Sequence, residues 1–82
     1  MSQDIENFRK LKEHINRVAK VNDDDFETVV TWDEGDFILE VSETSDWHSF
    51  LCVRGPTIFV VIDMAEGGLR AACEAWGYKY VG

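Results

Sequence analysis

Side chains able to do acid-base, nucleophilic or metal chemistry are few in this chain, and their spacing tests each chemistry in turn. His48 and Cys52 fall four residues apart in a segment with strand character. At about 3.3 Å per residue that separation is too wide for both to hold one metal ion. The sequence contains no C-x-x-C or H-x-x-x-H spacing. An Asp-rich calcium loop from Asp23 to Glu34 would need glycine at its sixth position, where Thr28 stands. No metal site and no cofactor are therefore expected. Nucleophilic catalysis requires a base and an orienting group beside Cys52 or Cys73. His48 and Asp63 would pair across a hairpin as base and orienter, but Cys52 lies along the strand and Cys73 falls on the inner stripe of a helix. The pair Gly67-Gly68 lacks the spacing of a phosphate-binding loop. What survives is one enzymatic reading, a small enzyme built on His48 and Asp63.

The carboxylates say more through their distribution. Residues 21 to 46 hold ten acidic and no basic side chains: Asp23, Asp24, Asp25, Glu27, Asp33, Glu34, Asp36, Glu40, Glu43 and Asp46. Residues 1 to 20 carry five basic and three acidic ones, and residues 47 to 82 carry three of each, so the whole excess of the net charge of −8 lies in one third of the chain. Such a density costs self-repulsion that an ordinary solvated face avoids. It would repel nucleic-acid phosphates, which argues against direct nucleic-acid binding there. It suits a basic protein surface.

Elements that would position these groups are readable from periodicity. From Ser2 to Lys20, the residues Ile5, Phe8, Leu11, Ile15, Val18 and Ala19 recur at helical spacing, with Arg9, Lys10, Glu13, Arg17 and Lys20 opposite them. Phe26, Thr28, Val30 and Trp32 alternate as in a half-buried strand, and Phe37, Leu39 and Val41 do so after the turn Asp33-Glu34-Gly35-Asp36. That loop pairs Trp32 with Phe37, Val30 with Leu39 and Thr28 with Val41.

Two further strands are expected around Gly55-Pro56, from the apolar runs Phe50 to Val53 and Ile58 to Ile62. Pairing them puts Leu51, Val53, Ile58, Val60 and Ile62 on one face. Phe50, Cys52, Phe59 and Val61 then form an apolar outer face with no cover. A helix follows, with Asp63 as its N-cap, Glu66 completing a capping box and Gly77 ending it. Tyr78 to Val81 has the pattern of a short terminal strand.

The expected fold is a single α+β domain, a two-layer sandwich ordered α-β-β-β-β-α with a short C-terminal strand. Its sheet is mainly an antiparallel meander with both helices on one face. Its core would comprise Phe8, Leu11, Ile15, Val18, Val30, Leu39, Val41, Leu51, Val53, Ile58, Val60, Ile62, Leu69, Ala72 and Trp76. Two cysteines are too few for a disulfide framework, and the longest apolar run is far shorter than the roughly 20 residues of a membrane span. A cytoplasmic setting without membrane association is expected. In composition and architecture the chain resembles small acidic α+β inhibitors, many from phages, that occupy the nucleic-acid site of a nuclease, polymerase or CRISPR effector. That resemblance implies a non-enzymatic inhibitor acting as a nucleic-acid mimic on a basic protein. The alternative expectation is an assembly module, a homodimer formed through Phe50, Cys52, Phe59 and Val61.

Overall fold

A computed structural model describes residues 2 to 82. The order is α1 (Ser2–Asn22), β1 (Phe26–Asp33), β2 (Asp36–Glu43), β3 (His48–Gly55) and α2 (Ile58–Trp76). The strands form one antiparallel sheet in the order β1-β2-β3. Both helices lie on one face of it, α2 over β3 and β2, α1 beside α2 and over β1. Among the described residues no helix is long and apolar enough to cross a membrane.

The first hairpin has the expected register, with Thr28 opposite Val41, Val30 opposite Leu39 and Trp32 opposite Phe37. Pairing continues to Asp33 and Asp36, so the turn is the two residues Glu34 and Gly35, at φ 51° and 84°. Two positive φ angles in a two-residue connection match the right-handed twist of the strands, and glycine takes the second without steric cost.

The expected fourth strand is absent. Ile58 to Ile62 is instead the opening of α2. Thr57, in extended conformation, caps the helix by accepting a hydrogen bond from the Val60 N–H at 3.1 Å. A run of five apolar residues has no periodicity of its own, and tertiary packing decides it. Here Val61, Ile62, Ala65, Leu69, Ala72 and Cys73 continue one helical stripe and are all buried. Asp63 is consequently an exposed residue inside the helix and caps nothing. Gly55 permits the tight entry, because a Cβ there would stand 2.8 Å from Val60 Cγ1. Gly68 has a related role, since its Cβ would meet Leu51 at 3.4 Å as α2 crosses β3.

Gly77, at φ 73°, ends α2 as expected, and the Tyr78 N–H closes the cap on Cys73 O at 2.7 Å. Tyr78 to Val81 forms no strand. The Asn22 side chain binds both backbone groups of Lys79, accepting from its N–H at 2.8 Å and donating to its C=O at 3.0 Å. His14 Nε2 meets Val81 O at 2.6 Å. A side-chain amide thus satisfies the backbone that a neighbouring strand would otherwise have paired, and the tail lies against α1.

The core gathers Leu11, Ile15 and Val18 of α1, Leu39, Val41 and Phe50 of the sheet, and the buried stripe of α2. Of the expected core residues, Phe8, Val30, Leu51, Val53 and Ile58 are half-buried against this cluster, Val60 is half-buried outside it, and Trp76 is exposed.

Candidate functional site

A β-bulge between Val41 and Ser42 on one side and β3 on the other shifts the ladder. Val41 faces Leu51, whereas Ser42 faces Ser49 and Glu43 faces His48, leaving Phe50 as the extra residue. A bulge reverses the side to which the preceding side chains point. Cys52 and Arg54 keep the outer face, but Phe50 and His48 turn toward the helices. Phe50 becomes 4% exposed and stacks on Phe26 at 4.7 Å and on Tyr78 at 5.4 Å between ring centroids. The expected outer patch is corrected accordingly. Phe50 and Val61 are core residues, Phe59 is exposed on α2, and Cys52 alone of the four lies on the outer sheet face.

The same shift builds a polar cluster beneath the end of α2. Glu43, though carrying a carboxylate, is only 6% exposed. It accepts hydrogen bonds from the Tyr78 hydroxyl, at 2.5 Å, and from the Ser45 hydroxyl. These bonds hold its carboxyl below the ordinary glutamate range, the Ser45 bond contributing most and burial opposing. Tyr78 is pushed well above the ordinary tyrosine range, first by burial and then by its bond to Glu43. The His48 ring places Nδ1 2.5 Å from Asp46 Oδ1, and its Nε2 lies 3.5 Å from Glu43 Oε2 with no hydrogen-bond partner. Trp76 covers that ring at 4.3 Å between centroids. His48 holds the Asp46 carboxyl below its ordinary range through its hydrogen bonds.

His48 and Asp63 are therefore not brought together. His48 lies against Glu43, Asp46 and Trp76, while Asp63 sits on α2 near Asn7, Phe59 and Glu66. Cys73 is buried, its thiol pushed upward by that burial, and Cys52 is exposed opposite Glu40. The three ligand-bearing groups of Glu43, Asp46 and His48 lie within 4.8 Å of one another, a set that spacing arguments on His48 and Cys52 missed. Glu-x-x-Asp-x-His spanning a short turn was the available signal. Within the set Glu43 already accepts from Tyr78 and Ser45, and Asp46 from His48, with Glu43 buried and Asp46 exposed.

The acidic residues separate into three groups. Glu27 and Glu40 project from the sheet face that no helix covers, beside Val29, Thr31 and Ile38. Asp33, Glu34 and Asp36 form the β1–β2 turn at one end of that face. Asp23, Asp24 and Asp25 link α1 to β1 at the other, with Asp46 exposed in the β2–β3 turn at the same end. Arg54 is the one cation on the strands, bound to Asp36 at 2.9 Å and donating to Asp33 O. Glu43 alone of the ten is withdrawn from solvent.

No family model matches the chain, and no significant match was found among curated proteins or solved structures.

Proposed function

We propose that this is a non-enzymatic interaction protein that docks the uncovered acidic face of its sheet on a basic protein surface. The supporting observation is that α1 and α2 both occupy the opposite face, leaving Glu27 and Glu40 exposed between the acidic turns at either end. Arg54, the only opposing charge on the strands, is already paired with Asp36. An array of this kind imitates the charge of nucleic acid, so a nucleic-acid-binding enzyme, inhibited by occupation of its basic site, is the partner class proposed. A cytoplasmic setting belongs to the same reading and agrees with two free thiols.

Affinity capture from a host lysate at low and high salt tests the idea, because contacts between exposed charges are screened within about 10 Å at 0.1 M salt. A captured basic protein should lose most of its binding when Glu27, Glu40, Asp23, Asp24, Asp25, Glu34 and Asp36 are reversed to lysine. Unchanged affinity after that reversal would refute the proposal. Self-association through Phe50, Cys52, Phe59 and Val61 loses its basis with Phe50 and Val61 buried.

A further inference from the structure

The two layers part at the end where α1 begins and β3 gives way to α2. Ile5 belongs to the same helical stripe as Leu11 and Ile15, yet it is 71% exposed. Trp32 belongs to the inward-facing series of β1, opposite Phe37, yet it is 64% exposed. Length accounts for part of this. Twenty-one helical residues extend about 31 Å, whereas eight-residue strands extend about 26 Å, so the first turns of α1 overhang the sheet. Between the layers lies an apolar groove of about 240 Å³, lined by Asp4, Ile5, Phe8, Val30 and Ile58. It is smaller than the roughly 300 to 1,000 Å³ of sites for small ligands, and a single large side chain would fill it.

Charge around the groove selects the occupant. Asp4 stands in its wall, and Asp33, Glu34 and Asp36 form the turn at the same end of the sheet. Of the cations of these segments, Arg9 is bound to Glu6, Arg54 is bound to Asp36, and Lys12 lies at 5.5 Å over the ring of Phe8, itself a groove residue. A second copy of the chain would bring its own charge of −8 to this rim and be repelled.

We infer that the groove between α1, β1 and the start of α2 seats one large apolar side chain of a lysine- or arginine-rich protein segment. The choice of a basic segment rests on the proposed function, and the apolar anchor is an addition to it. Binding energy at interfaces concentrates in such anchored side chains, with surrounding charges setting orientation and partner choice.

The test uses the whole protein and three labelled peptides: a lysine-rich one with a central tryptophan, the same peptide with alanine there, and a glutamate-rich one with the tryptophan. Fluorescence anisotropy should show the lysine-tryptophan peptide binding about tenfold more tightly than either control. Its amide shift changes should centre on Ile5, Phe8, Val30 and Ile58, and Ile5→Ser should abolish the advantage of tryptophan. Equal binding of the two lysine peptides would overturn the groove while leaving the acidic-surface reading intact. Equal binding of the glutamate peptide would overturn the basic partner. Shift changes confined to the outer sheet face, or a sedimenting dimer that Ile5→Ser dissociates, would also overturn the inference.

Discussion

The two ends of this sandwich are built from the same kind of inward-facing apolar series and finish differently. At the end holding the β2–β3 turn, the interior between the layers is closed, although Trp47 and Trp76 stay exposed at its surface. The bulge turns Phe50 inward, Phe26 and Tyr78 stack with it, and the tail after α2 is held to α1 through Asn22. At the other end no described residue performs this closure: Ile5 stands exposed in the wall of an apolar groove, and Trp32 and Phe59 are exposed as well. Alternation and helical stripes specify which side chains face inward. Whether those side chains are covered depends on where the layers end and what the chain lays over the gap.

The sharpest break of this contrast comes from Phe50→Ala, which removes the ring at the sealed end. It should cost about 3 to 5 kcal/mol in urea unfolding, the range for a buried phenylalanine. Gly55→Ala should follow at about 1 to 3 kcal/mol, since the added methyl meets Val60 Cγ1 at 2.8 Å where α2 enters. Thr57→Ala, which removes the cap of α2 at the open end, should cost about 1 kcal/mol by the same measurement. Ile5→Ser should change stability by no more than about 0.5 kcal/mol, because the side chain is largely in water already. A large loss on Ile5→Ser would show that the open end is sealed in solution.

Acid titration separates the ends by a different route. Glu43 is held below its unfolded value, so its contribution is present above the unfolded glutamate pKa and is lost as pH falls through the folded one. Thermal denaturation should show wild type more stable than Glu43→Gln at pH 7. The gap should close as the pH drops below about 4. A gap independent of pH would mean that the Glu43 contacts with Ser45 and Tyr78 do not depend on its charge.

Much of the fold was legible in the residues alone, and the α+β class and the antiparallel meander hold. The α1 stripe follows from 3.6-residue spacing, and the β1–β2 register from alternation joined to a turn with glycine at a positive φ. Gly77 as the stop of α2 follows from the same freedom. These signals are local, carried by residues that lie near one another in sequence. The charge map was equally plain, although its division into an exposed face, two acidic turns and one buried Glu43 was not.

Only the tertiary structure decided the rest. Ile58 to Ile62 has β-branched composition and no period, so its conformation depends on the sheet beneath it, which Val61 and Ile62 cover as part of a longer helical stripe. The bulge at Phe50 has no turn residue to announce it, yet it moves Phe50 and His48 to the other side of the sheet. Sequence by itself determined which side chains could be buried, because spacing alone sets the faces of a helix or strand. The tertiary structure decided which were, because a one-residue offset between strands and the reach of neighbouring layers are properties of the packed chain.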